Sequence, residues 1–328
     1  MRIAMALGLA FLVTASFGFP VSVQAWEPTK PIEFVIPAGT GGGADQMARL
    51  ISGVAEKHKL SPRPLIAVNK SGGAGAEGFL HVKEKKGDAH TIIITLSSLF
   101  TTPLSTGIPF NWKDLTPVAR IALDQFILWV NAESPYKTAK EYIAAVKERS
   151  GSDNRMKMGG TGSAQEDQII TIQLEQALGL KFTYVPFKGG GEVCTNLVGK
   201  HVDSTVNNPI ECASNWKAER VRPLAVFDTA RIPLADWKGI PTVKEALGAD
   251  IHYLMLRGIF GPPDMPKEAV EWYIDFLKKI LDTPEFKKYL EEGALKSAFS
   301  TGTEYAKWVE ENEKLHRDLM AKGGLLKK

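Results

Sequence analysis

The sequence predicts a two-lobed α/β fold, each lobe a mainly parallel sheet flanked by helices. Three observations carry this. Short apolar runs alternate with stretches of helical hydrophobic spacing. Glycine-rich turns join several of these pairs. The pattern also runs once through Arg149 and then restarts. Strands alternating with helices imply parallel strands covered on both faces. In open sheets of this kind ligands sit beyond the carboxyl ends of the strands, which is where the glycine turns fall.

The first round opens with "IEFVIP" (32–37) as a strand and "ADQMARLISGVAEKH" (44–58) as a helix, with Met47, Leu50, Ile51 and Val54 at helical spacing. Gly39, Thr40, Gly41, Gly42 and Gly43 lie between them. "LIAVN" (65–69) leads into a second glycine loop, "SGGAGAEG" (71–78), and "HTIIIT" (90–95) ends in "LSSLFTTP" (96–103). "QFILWVN" (125–131) is a further strand, and Thr138 with Glu141 three residues on makes a capping box for a helix over 138–149. In the second round "RMKMGG" enters the turn and helix "TGSAQEDQIITIQLEQALG", and "FTYVPF" (182–187) precedes "KGGGEVCTNLVGKH". "VDSTVNN" (202–208) and "VRPLAVF" (221–227) follow as strands, and from Pro263 the pattern is mostly helical.

A chain of 328 residues, 44% hydrophobic and 23% charged, suits about two ordinary globular domains. A net charge of +3, with 40 basic residues spread along the chain, argues against a nucleic-acid partner. Residues 1–25 differ from the rest: Arg2, an uncharged stretch over 4–19, Pro20, then "VSVQA" with small Val23 and Ala25. This is the pattern of a secretory signal cut before Trp26, and it predicts a periplasmic location. In an oxidising compartment Cys194 and Cys212 either pair or remain two buried thiols. Two cysteines support neither a cysteine-based zinc site nor a disulfide scaffold.

The loop at 39–45 combines glycines, which let backbone N–H groups approach a ligand, with a helix N-terminus, so it suits an anion. Asp45 either caps that helix or faces the ligand. "GTGGGA" matches a dinucleotide turn, but Asn69 stands where the ribose-binding acid belongs. No Gly-Lys-Ser/Thr follows any loop, so no cofactor is expected. The histidines at 58, 81, 90, 201, 252 and 316 lie outside metal or hydrolase motifs, and paired carboxylates on helical patterns suit solvated faces. Ser163 in "GTGSAQ" only loosely matches a nucleophile elbow, because Gln165 replaces the second glycine. The profile is that of a binding protein with no metal. An exported hydrolase using Ser163 and a sensory receptor for the same ligands are the competing expectations.

Five segments in register resemble one family. "PAGTGGGAD" (37–45) is similar to the P-F-P-P-G-G-P-A-D opening of the Bug-type (TctC-like) receptors, the extracytoplasmic binding proteins of tripartite tricarboxylate transporters. "VNKSGGAGAEG" (68–78), "GGTGSAQEDQ" (159–168), "YVPFKGGGE" (184–192) and "LAVFDTAR" to "GIPTVKEAL" (224–247) resemble later family segments in order. The resemblance implies a two-lobed, type II-like periplasmic binding fold with the ligand in the interlobe cleft, one lobe at 26–124 plus 229–328 and the other at 125–228, hinged near 123–125 and 227–228, which closes on a small carboxylate and passes it to membrane transporter subunits. Carried over residue by residue, the ligand set is Thr40, Gly41, Gly42 and Asp45, then Thr161, Gly162, Ser163, Ala164 and Gln165. Ser97 and Ser98 should point into the same cleft, with Asn207 and Asn208 as wall residues. Ala164 and Gln165 replace the family's Gly-Ser, and Gln168 replaces a usual His. A dicarboxylate suits two facing anion turns, and a monomer suffices for it.

Overall fold

The computed structural model describes residues 26–327. The expected signal sequence at 1–25 lies outside the described residues. The first lobe begins with β1 (Ile32–Ile36), α1 (Gly43–Lys57), β2 (Leu65–Asn69), α2 (Ala76–Lys83), β3 (Thr91–Thr95), α3 (Ser98–Thr106) and β4 (Thr116–Asp124). The chain then crosses and builds β5 (Ile127–Asn131), α4 (Ala139–Arg149), β6 (Lys157–Thr161), α5 (Glu166–Leu178) and β7 (Thr183–Phe187). α6 (Gly190–Val198), β8 (Ser204–Asn207), α7 (Pro209–Lys217), β9 (Val221–Val226) and α8 (Val243–Leu247) follow. It returns through β10 (Met255–Gly261), α9 (Lys267–Leu281), α10 (Pro284–Glu292), β11 (Lys296–Thr301) and α11 (Gly302–Gly323).

Local chemistry explains the elements that periodicity predicted. α1 buries Met47, Ala48, Ile51 and Val54 on one face. β3 is buried along its whole length, as a central strand covered on both faces must be. The Thr138 hydroxyl accepts the Glu141 N–H at 3.2 Å and the Glu141 carboxylate accepts the Thr138 N–H at 3.1 Å, closing the expected box.

The sheets are mixed rather than mainly parallel. Six strands run in the order β11-β4-β10-β3-β1-β2 and five in the order β7-β6-β8-β5-β9. Parallel pairs hold β1 to β2 and β3, and β6 to β7 and β8; β10 and β5 pair antiparallel to both their neighbours. The cause is the double crossing. β4 leaves the first lobe and β10 re-enters it beside β4, so the two must run in opposite directions. β5 and β9 repeat this in the second lobe. Three strands went unanticipated, β4, β10 and β11. Their sequences carry Arg120, Arg257 and no clean apolar run.

At the crossing, Phe227 donates its N–H to Phe126 (2.9 Å) and Tyr253 donates to Phe227 (3.0 Å), so three chain segments lie side by side. The stretch after Phe227 does not re-enter the first lobe at once, as a boundary at 228 would require. Ile232, Trp237 and Ile240 pack in the second-lobe core with Trp129 and Val226, and α8 lies on α4 and β9. The return crossing therefore falls near Tyr253. Cys194 and Cys212 form a disulfide between α6 and α7, with Cα atoms 5.7 Å apart. Closing so short a loop stabilises the lobe by about 3 kcal/mol in the chain-entropy picture.

Candidate functional site

A cavity of about 770 Å³ lies between the lobes, beyond the carboxyl ends of β1, β2, β3, β6 and β7. Pro37, Ala38, residues 71–75, Leu96, Ser98 and Thr106 line it from the first lobe. Thr161, Gly162, Ser163, Gln165, Glu166, residues 186–188 and Glu192 line it from the second. Parallel strands leave their C-terminal turns on one edge of each sheet, so two facing edges enclose one chamber.

Of the residues expected to meet ligand, Ser98, Thr161, Gly162, Ser163 and Gln165 reach this cavity. Ser98 sits in the first turn of α3, and its buried hydroxyl has no hydrogen-bond partner among the described residues. Ser97, the residue before that helix, is buried with its hydroxyl likewise unpaired but does not line the chamber. Gly162 and Ala164 both take positive φ, +59° and +56°, which folds the second-lobe turn tightly. The turn is fastened by Tyr184, whose hydroxyl donates to Gly162 O at 2.9 Å. Gln168 also holds it, its Oε1 accepting the Ala164 N–H at 2.6 Å. Gln165 also spans the lobes: its Nε2 donates to Ala74 O of the opposite lobe at 3.1 Å, tying them together across the chamber.

Thr40, Gly41, Gly42 and Asp45 do not line the cavity. Their loop packs backbone to backbone against the second-lobe glycine turn. A Cβ on Gly39 would fall 2.8 Å from Lys188 O, and one on Gly191 would fall 2.9 Å from Gly41 O. The glycines serve this close approach. Asp45 is buried and turned toward its own helix. It accepts from Gly41 N (2.9 Å), Asn69 Nδ2 (2.9 Å) and Arg49 Nε (2.9 Å). Burial pushes its carboxyl up, but these hydrogen bonds together hold it below the usual carboxylate range. Of the two roles left open by the sequence, Asp45 does not face the chamber; it fastens the turn that precedes α1.

The α1 N-terminus does hold a carboxylate, and it is the protein's own. Glu211, from the first turn of α7, accepts Gly43 N–H at 3.0 Å, Asn207 Nδ2 at 3.0 Å and Asn208 N–H at 3.2 Å. Burial pushes this carboxyl up to about 7, against the pull of those bonds and of Arg257. Asn207 and Asn208 are accordingly structural rather than wall residues. Asn207 Nδ2 also reaches Gly190 O (2.9 Å), and Asn208 Nδ2 reaches Gln125 O at the crossing (2.7 Å). Arg257 lies beside them, fully buried, donating to Asp124 at 2.5 Å and to Asn208 Oδ1 at 3.2 Å. Burial raises Asp124 to about 6 despite that partner.

Glu166, the first residue of α5, also went unsignalled. Acidic pairs on helices are usually solvated, whereas Glu166 and Asp167 are 5% and 3% exposed. Asp167 accepts Thr161 N–H at 2.6 Å. Glu166 makes no ion pair among the described residues, and its Oε2 is buried without a partner. Burial, first of all, holds the Glu166 carboxyl above its ordinary range. Ser163 has no histidine or carboxylate hydrogen-bonded to its hydroxyl among the described residues, so nothing there activates it as a nucleophile.

Two α/β lobes joined by a double crossing, with a chamber at their facing strand ends, define a periplasmic solute-binding fold. Residues 47–325 match the tripartite tricarboxylate transporter family receptor, and the chain belongs to that family. It is a receptor and not an enzyme. A Cupriavidus necator protein, described by its place in the gbd 5′ region, is 29% identical over 98% of this chain and 94% of its own. The periplasmic binding protein BugD superposes with a TM-score of 0.84 at 20% identity, over 92% of this chain and 100% of its own. A Rhodopseudomonas palustris protein solved with adipate superposes with a TM-score of 0.85 at 22% identity, over 92% of this chain and 99% of its own. No helix among the described residues is long and apolar enough to cross a membrane.

Proposed function

We propose that this chain captures a small organic carboxylate in the periplasm and delivers it to a tripartite tricarboxylate-type transporter. One observation carries the proposal: the chamber is walled by strand-end turns from both lobes, so a molecule inside touches both at once. A ligand that contacts both lobes stabilises their approach, which is the differential interaction a closing receptor requires. The carboxylate is received by neutral donors, the Ser98 hydroxyl at the head of α3 together with the turns at 71–75 and 161–163. The fold neighbour solved with adipate supports a carboxylate of this size. The receptor acts as an exported monomer, with residues 1–25 removed before Trp26, and bends where β4 meets β5 and near Tyr253.

Thermal unfolding across a carboxylate panel tests this. Ligand at a hundred times its Kd adds about 2.7 kcal/mol to stability and raises Tm. The proposal fails if no carboxylate raises Tm. A dicarboxylate would place one carboxylate on each lobe, but the second lobe already presents Glu166 to the chamber.

A further inference from the structure

We infer that Glu166 sets the specificity of the chamber, and that the ligand is a zwitterion carrying a carboxylate for the first-lobe donors and a protonated amine for Glu166. This rests on the carboxylate-receptor function proposed above and names the other end of the ligand.

The charged side chains lining the chamber are unequal. Lys188 and Glu192 are exposed at its edge, while Glu166 is 5% exposed. A buried carboxylate is costly unless paired and hydrogen-bonded. Glu166 is poorly compensated within the protein: no cation forms an ion pair with it, Oε2 accepts no hydrogen bond, and the one hydrogen bond to its carboxyl comes from its own backbone N–H. The nearby Arg257 is committed to Asp124 and Asn208. Helix-dipole chemistry explains an acid in the first turn of α5. It does not explain one whose Oε2 is left without a partner beside a chamber, since Asp167 in the same turn is bonded to Thr161 N–H.

The opposite wall has the complementary deficit. The Ser98 hydroxyl is buried, unpaired and at the start of a nine-residue helix, where an anion is favoured. One wall thus lacks an acceptor for its donor and the other lacks a donor for its carboxylate. A molecule with an anionic and a cationic end satisfies both, and a second ligand carboxylate near Glu166 meets like-charge repulsion instead.

The test uses the mature protein and matched pairs of equal chain length in calorimetry at neutral pH. The pairs are β-alanine against succinate, γ-aminobutyrate against glutarate, and δ-aminovalerate against adipate. The expected result is that in at least one pair the amine-bearing member binds about 10-fold or more tightly than its partner, the range of a charge-assisted hydrogen bond. E166Q should then weaken the amine-bearing ligand by about 10- to 100-fold and tighten the matched dicarboxylate. Tighter binding of the dicarboxylates by the unmodified protein overturns this inference and leaves the carboxylate-receptor function standing. An amine preference that survives E166Q overturns the role of Glu166. Binding of neither class overturns both. The comparison within the unmodified protein holds even if E166Q fails to fold.

Discussion

The loop after β1 and the loop after β2 lie side by side at the same edge of the same parallel pair, and both are glycine-rich. The first, 39–43, presses on the second-lobe turn with its backbone, and the helix behind it receives Glu211 from the protein itself. The second, 71–75, opens onto the chamber. Glycine therefore has two uses here that look alike in one dimension. In one loop it permits two backbones of opposite lobes to meet, and in the other Gly73 (φ +60°) and Gly75 (φ +90°) fold a turn that borders the chamber. What separates them is what lies across the cleft: another glycine turn in the first case, the Gln165 side chain and the chamber in the second.

G191A should break the first use with the largest effect. Alanine suits the first turn of α6, so the lobe itself should fold, but its Cβ would fall 2.9 Å from Gly41 O of the opposite lobe. Overpacking of this kind costs about 1–3 kcal/mol. Ligand affinity should fall by about 5- to 150-fold, with a larger radius of gyration in ligand-saturated solution scattering. Unchanged affinity would mean that the seam is not part of the ligand-bound form.

Glu211 links the same seam to pH. Its folded pKa, about 7, lies above the unfolded value near 4.5, so the folded state binds the extra proton between them. Its contribution to stability therefore rises as pH falls from about 8 to about 5, and is lost again as pH rises through 7, on the order of 2–3 kcal/mol. E211Q should flatten that part of the stability curve in urea titrations. A curve identical to that of the unmodified protein would show the carboxyl to be ionised throughout.

S98A probes the second use. The hydroxyl has no partner within the protein, so Tm without ligand should not fall. Affinity for the carboxylate should drop about 10-fold, the value of one good hydrogen bond to a charged group. D45A should do the reverse and have the smallest effect on binding. It should lower stability by about 1–3 kcal/mol, as leaving the buried partners of a carboxylate unsatisfied does, and leave affinity within twofold in calorimetry. If D45A abolished binding, the assignment of the first loop to structure would fall.

The family and the two-lobed α/β organisation were legible along the chain, because periodicity, glycine turns and the restart after Arg149 are properties of neighbours in sequence. Five of the residues expected to meet ligand line the chamber, and all lie in the turns that follow β3 and β6. Of the others, Gly41, Gly42, Asn207 and Asn208 are claimed by segments distant in sequence, Gly190, Gly191, Glu211, Arg257 and Gln125, while Thr40, Ser97 and Ala164 lie off the chamber lining. Asp45 itself is settled by Arg49, Gly41 and Asn69.

The sequence by itself determined which turns could hold an anion, since glycines before a helix supply donors and half a positive charge wherever they occur. It determined too that the two cysteines could pair. Only the tertiary structure decided that they do, that β10 runs antiparallel beside β4, and that the first anion turn is filled by Glu211 while Glu166 stands unpaired beside the chamber. The physical reason is common to all of these. A donor or a carboxylate is satisfied by whatever group the fold brings within about 3 Å, and that group comes from the far end of a double crossing.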